Sequence, residues 1–128
     1  MKIMAKFYIC KHCKALVLKL NDLGPAPSCC GEEMKELISN TTDAAFEKHI
    51  PFVKEEGNKI HVEVGEVVHP MLKEHYIEWI YLLTDKGATI KYLQPKDEPK
   101  ADFLLMEGEK ALSIYSYCNL HGLWKKDL

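Results

Sequence analysis

The sequence predicts a mainly β chain, in which a small cysteine-bound module is followed by an antiparallel β-sandwich. Three observations carry this. Four of the five cysteines fall within the first 30 residues, in a stretch poor in apolar runs. From residue 47 onward apolar residues recur in short runs, the first of them strictly alternating, with no convincing amphipathic helix among them. Turn residues punctuate those runs at short intervals.

The first element is the cysteine module, expected over residues 1–36. Gly24, Pro25, Pro27 and Gly31 crowd around its second cysteine pair, and its apolar runs are as brief as Leu16 to Leu18. A segment of about 35 residues buries too little surface to fold on apolar packing alone, so a metal staple is expected. Cys10-x-x-Cys13 in a tight turn offers two thiolates, and the adjacent Cys29-Cys30 completes a sulfur tetrahedron. Such a site suits zinc or a single iron, and spacing alone leaves both open. His12 lies between the first two cysteines and reads as an exposed residue, because four thiolates already satisfy a tetrahedral ion.

Residues 37–46 are polar in the middle and read as a linker. The sandwich is expected over 47–128. Its first strand is the alternating Ile60, Val62, Val64, which places His61 and Glu63 on the opposite face. The run from His75 to Thr84 has apolar residues on both sides and reads as a strand buried on both faces. Thr89 to Leu93, Phe103 to Met106 and Ala111 to Tyr117 follow as further strands, separated by Asp85-Lys86-Gly87, Pro95 to Pro99 and Glu107-Gly108. A parallel sheet would need crossover helices, so the sandwich is preferred.

Six histidines are present, and four of them stand beside turn or loop signals: His49 before Ile50-Pro51, His69 before Pro70, His75 at a strand opening, and His121 before Gly122. The proline holds His69 extended and fixes its approach. In Cys118-Asn119-Leu120-His121 a thiolate and an imidazole sit three residues apart in one loop. Each histidine taken singly reads as an ordinary surface or core residue, but the set with Cys118 points to a second metal. Four imidazoles and one thiolate exceed an ordinary zinc site and suit iron with one octahedral position open. A thiolate pushes electron density onto its metal and promotes redox chemistry on a ligand opposite it.

Composition narrows the function classes. A formal charge of −2, from 17 basic and 19 acidic residues, gives no footprint of a nucleic-acid or anionic-membrane binder. No stretch reads as a signal peptide or a bilayer span, so the expected location is cytoplasmic. Five cysteines cannot all pair, and a reducing cytoplasm favours metal ligation over disulfides.

Glu47-Lys48-His49, His69-Pro70-Met71, His75-Tyr-Ile-Glu-Trp-Ile80 and Cys118-Asn-Leu-His121-Gly-x-Trp124-Lys125 together resemble the superoxide reductases. With Cys10, Cys13, Cys29, Cys30, Gly31 and Met34 included, the whole chain is similar to the two-iron class of that family, the desulfoferrodoxins. The resemblance implies a desulforedoxin-like first module with iron on the four cysteines. It also implies an immunoglobulin-like sandwich with catalytic iron on His49, His69, His75, His121 and Cys118. The implied activity is one-electron reduction of superoxide to hydrogen peroxide without oxygen release. A rubredoxin-like carrier would supply the electrons, in a homodimer living in the cytoplasm of an anaerobe or microaerophile. Glu47 matches the family's mobile carboxylate, and Lys48 matches the residue that attracts superoxide and helps deliver protons. The backbone amides of Leu120 and His121 match those that hydrogen-bond the cysteine sulfur.

The chain departs from the family pattern at Lys14-Ala15, where Gly-Asn is usual, and at Pro25 to Ser28 before the second cysteine pair. Lysine tolerates a left-handed turn less well than glycine, so altered fine geometry and potential are expected at the first centre. The competing classes are an electron carrier or metal store with saturated irons, a structural zinc protein, and a dismutase. The first would not react with superoxide, the second leaves the histidine set unexplained, and the third would release oxygen.

Overall fold

The computed structural model describes residues 3–128, and the chain divides into two compact units, one ending at Ile38 and one covering Ser39–Leu128. In the first unit, β1 (Lys6–Ile9) pairs antiparallel with β2 (Leu16–Lys19) on one side and β5 (Lys35–Glu36) on the other. A two-residue ladder joins β3 (Ser28–Cys29) to β4 (Glu32–Glu33). The core of this unit is small, comprising buried Tyr8, Cys10 and Met34 with Val17, Ala26 and Cys29 packed against them. Two of those six residues are cysteines of the expected metal set, so the metal site and the core share the same side chains.

The second unit is a sandwich of two antiparallel sheets. One has the order β10 (Lys100–Leu104), β7 (Lys59–Val64), β6 (Pro51–Glu56). The other has the order β12 (Gly122–Asp127), β11 (Ala111–Cys118), β8 (Ile77–Thr84), β9 (Ala88–Tyr92). Alternation in β7 buries Ile60, Val62 and Val64 while His61 and Glu63 stay partly exposed. Strand β8 is buried along nearly its whole length on both faces, as its unbroken apolar run requires. The core is built from Ile60, Val62 and Val64 on one sheet and Ile77, Ile80, Leu82 and Ile114 on the other, closed by Phe103 and by Cys118 itself.

Two strands and a short helix escape the hydrophobic pattern. Strand β6 mixes Lys54, Glu55 and Glu56 with Pro51, and β12 ends in Lys125, Lys126 and Asp127, so neither shows clean alternation. Helix α1 (Phe46–His49) is a single turn, too short to display a 3.6-residue period. It stops at Ile50, held extended at φ −70° and ψ 126° by the proline that follows. The 37–46 stretch is divided between the units. Leu37 donates its N–H to Phe7, whereas Asn40 joins the sandwich by bonding the backbones of Leu123 and Lys125. Among the described residues no helix is long and apolar enough to cross a membrane.

Candidate metal centres

Two groups of ligand-type side chains converge among the described residues, one in each unit. In the first, the ligand atoms of Cys10, Cys13, Cys29 and Cys30 all lie within 4.8 Å of one another. The β1–β2 connection makes the first knuckle. Cys10 N–H bonds the carbonyl of Ala15 at 3.0 Å, Lys14 N–H bonds that of Cys10 at 2.8 Å, and Lys14 takes the left-handed conformation at φ 66°. Cys30 and Gly31 are left-handed as well, at φ 53° and 73°, which turns β3 back into β4 and points both adjacent thiols inward.

Sulfur atoms of Cys13 and Cys29 are 3.6 Å apart, and those of Cys29 and Cys30 are 3.8 Å apart. The backbone amides of Cys13 and His12 hold the Cys10 thiol below its ordinary range, while crowding by Cys13, Cys10 and Cys30 pushes Cys29 up. Four thiols this close cannot all ionise without a cation among them, and four thiolates around one ion make a sulfur tetrahedron. His12 is exposed and turned to the Glu32 carboxylate, away from any ligand role.

The second group lies at one end of the sandwich. Helix α1 delivers His49, whose Nδ1–H donates to the carbonyl of Ala45 at 2.7 Å and leaves Nε2 free. A loop from Val64 returns His69, with its backbone N–H on the Val64 carbonyl at 3.0 Å and its Nδ1–H donating to Pro70 at 2.6 Å. His75 is held in a small bridge with Leu72. Cys118 closes β11, and His121 follows in the hairpin to β12, which turns at Gly122 with φ 80°.

The four imidazoles stand in a square. Neighbouring ring centroids are 4.5 Å (His49–His69), 4.8 Å (His69–His75), 5.0 Å (His75–His121) and 4.9 Å (His121–His49), with planes at 81° to 85°. Across the diagonal, His49 and His75 are 6.4 Å apart and only 27° from parallel. His49 Nε2 is 3.1 Å from His69 Nε2 and 3.0 Å from His121 Nδ1, and Cys118 Sγ is 3.9 Å from that same Nδ1.

Physical chemistry asks for a cation in this square. Since Nδ1 of His49 and of His69 each carries a proton given to a carbonyl, their Nε2 atoms are bare lone pairs facing each other. His75 Nε2 is buried with no hydrogen-bond partner. Burial holds His49, His69 and His75 below the ordinary histidine value, His69 down to about 4, so the rings stay neutral at pH 7. Burial also pushes the Cys118 thiol up, opposed by the backbone N–H groups of His121 and Leu120 that point at its sulfur. Imidazole lone pairs aimed at one another beside a buried thiol whose ionisation calls for a counter-charge are the donor set of a bound metal. Four imidazole nitrogens and one sulfur would hold an iron ion and would leave it room for a small ligand.

Lys48 is exposed on α1, and its charge helps hold His49 and His75 low. Glu47 is exposed one residue earlier, at the edge of a cleft of about 550 Å³ formed with Ile50, Pro51, Phe52, Val53, Glu66 and Lys126, apart from the five ligand residues. His61 stays out of both centres, hydrogen-bonded between Asp102 at 2.6 Å and Glu63 at 3.1 Å.

Three supporting residues emerge only from the fold. Asn119 accepts from Tyr76 N–H and donates to the Glu74 carbonyl, both at 3.0 Å, which ties the Cys118–His121 loop to the segment carrying His75. Gly65 packs so tightly under α1 that a Cβ there would meet the Glu47 carbonyl at 2.7 Å. Trp124 lies stacked on His49. In the sequence Asn119 and Trp124 appear within the motif around Cys118 and His121 but with no role, and nothing singles out Gly65.

Comparison with known proteins gives consistent results. The desulfoferrodoxin family profile matches residues 41–127. A desulfoferrodoxin homolog of Archaeoglobus fulgidus is 50% identical over 97 residues, 76% of each chain. A desulfoferrodoxin of Clostridium acetobutylicum is 42% identical over 121 residues, 94% of each chain. Among solved structures, the superoxide reductase from Treponema pallidum superposes with a TM-score of 0.81 at 36% identity, covering 97% of this chain and 99% of that one.

Proposed function

The chain belongs to the desulfoferrodoxin family, and from that premise we propose that it is a superoxide reductase working at the His49, His69, His75, His121 and Cys118 centre. The observation that carries the reading is the square of four imidazoles with a thiol beside it, a donor set that leaves one position for a small ligand. These five residues would hold an iron whose chemistry, when bound, would be the one-electron reduction of superoxide, with two protons, to hydrogen peroxide. The second iron belongs to the four cysteines of the first unit.

This chain's own residues set the conditions for that chemistry. Burial and the carbonyls of Ala45 and Pro70 fix the tautomers of His49 and His69, so their Nε2 atoms are ligands without rearrangement. The amides of Leu120 and His121 moderate the electron donation of the Cys118 sulfur. Lys48 places a positive charge beside His49 and His75 in a chain whose net charge of −2 would otherwise repel an anion. Its ammonium also stands ready to hand on protons. Glu47, on the same exposed turn, matches the family's mobile carboxylate and would be the group to close on the oxidised centre after turnover. A rubredoxin-like carrier returns the electron, and the working form is a cytoplasmic homodimer.

The test is metal content combined with pulse radiolysis of the reduced protein. Two irons per chain, rapid oxidation of the histidine-ligated centre by superoxide, and peroxide without oxygen are expected. Zinc at both sites, or an iron-loaded centre inert to superoxide, would overturn the reading, and oxygen release would reassign it as dismutation.

A further inference from the structure

Trp124 is fully buried, yet it carries none of the roles assigned above. Its indole lies 4.8 Å from the His49 ring, centroid to centroid, at an interplanar angle of 29°. Phe46, one helical turn before His49, meets the same indole edge-on at 5.2 Å and 77°. Residues three apart on a helix share a face, so the single turn of α1 sits on Trp124 through both rings. At its polar edge, Trp124 Nε1–H donates to the His121 carbonyl at 3.1 Å. Its cross-strand partner Ser116 donates from Oγ to the His49 carbonyl at 3.3 Å.

One side chain thus touches two ligand residues that are 72 positions apart in sequence and that neighbour each other in the square. The geometry points to Trp124 as a positioning residue with two separable actions. Its ring face sets the plane of His49, and through His49 the aim of Nε2 at the metal. Its N–H fixes the His121 carbonyl, and with it the loop whose Leu120 and His121 amides point at the Cys118 sulfur. The face acts on metal affinity, and the N–H acts on sulfur-to-metal donation. The inference rests on a metal being held by the five residues, and not on the reaction performed there.

The two actions are separated by W124F, which keeps an aromatic face and removes the N–H, and by W124L, which removes both. Each full-length variant is titrated with Co(II) against a competing chelator, with the tetrahedral four-cysteine centre and the five-ligand centre distinguished by their absorption. The position of the Cys118 sulfur-to-metal charge-transfer band is read on the iron-loaded chain. W124F is expected to shift that band while binding Co(II) near the parent affinity. W124L is expected to weaken the five-ligand centre about 10–100-fold and to leave the four-cysteine centre unchanged, with a cooperative denaturation transition of the sandwich reporting that the second unit has folded. Parent affinity and parent band position in both variants would overturn the proposal. Should W124L fail to fold, W124F decides alone, an unshifted band overturning and a shifted band supporting. A parent chain that binds no Co(II) at the five residues overturns the metal site itself. Normal Co(II) binding in an iron-loaded parent inert to superoxide overturns only the reductase reading.

Discussion

At the scale of single residues, the centres combine features read directly from sequence with features only the fold creates. The Cys-x-x-Cys and Cys-Cys pairs are legible because ligands close in sequence need only a turn to converge. The histidine set is legible as a set only by its placement beside turn signals, since His49 and His121 meet through a fold that no spacing records. Lys14 illustrates a cost visible at both levels: glycine is expected there, and lysine occupies the position at φ 66°. A left-handed non-glycine residue costs roughly 1–2 kcal/mol. Lys14→Gly is therefore expected to stabilise the metal-bound first unit by about 1 kcal/mol, read as a higher denaturant midpoint for loss of its sulfur-to-metal absorption. Lys48 is a kinetic case. If Lys48 steers the anion as proposed, Lys48→Ile is expected to slow superoxide capture roughly tenfold at low ionic strength and to weaken its salt dependence, because a positive charge acting on His49 and His75 is removed. Parent and variant rates that respond identically to salt would remove Lys48 from substrate attraction.

At the scale of elements, legibility follows burial. Strands β7 and β8 declare themselves because one is dry on one face and the other on both, whereas β6 and β12 carry charged residues that only their pairing partners explain. The single turn of α1 is invisible to periodicity, yet it carries Glu47, Lys48 and His49 together. What holds it is backbone contact: Val67 N–H donates to the Glu47 carbonyl at 2.8 Å, and Gly65 lets the loop pass beneath. That same loop delivers His69, so two ligands depend on one close approach. In Gly65→Ala the new Cβ would lie 2.7 Å from Glu47 O and 2.9 Å from both Ile50 O and Lys48 C, all backbone atoms that cannot yield by a rotamer change. The expected cost is about 1–3 kcal/mol of stability, with lowered iron occupancy at the histidine centre and full occupancy at the cysteine centre. Gly87→Ala, whose Cβ would meet open space at a glycine that is not left-handed, is the control for a glycine effect without crowding. Equal iron content in parent and Gly65→Ala would show that α1 is not held by this approach.

At the scale of the whole molecule, the sandwich has an apolar core of its own while the cysteine unit has almost none, so metal loss should bear on the two units differently. In the sandwich the core and the ligand set are in tension when no metal is present. Burial has lowered the proton affinity of His49, His69 and His75, the second of them to about 4, whereas an unfolded histidine titrates near 6.5. Between those values the unfolded chain binds more protons than the folded one, so stability rises with pH across that window and is lost as pH falls through it. His61 works in the opposite sense. Glu63 and Asp102 raise its proton affinity, so its contribution is present below its unfolded value and fades as pH rises through its folded one. His61 is on a partly exposed face and screened by water, so the three buried rings dominate. The metal-free chain is thus expected to lose stability progressively from about pH 6.5 towards pH 4, before most carboxylates protonate. Iron retention at the histidine centre should fail in the same direction, since protons and metal compete for the same Nε2 atoms. Chemical denaturation of the metal-free chain at a series of pH values checks this. His69→Gln, which removes the most depressed group, should flatten the profile between pH 4 and 6.5, and a variant profile as steep as the parent's would place the acid sensitivity elsewhere.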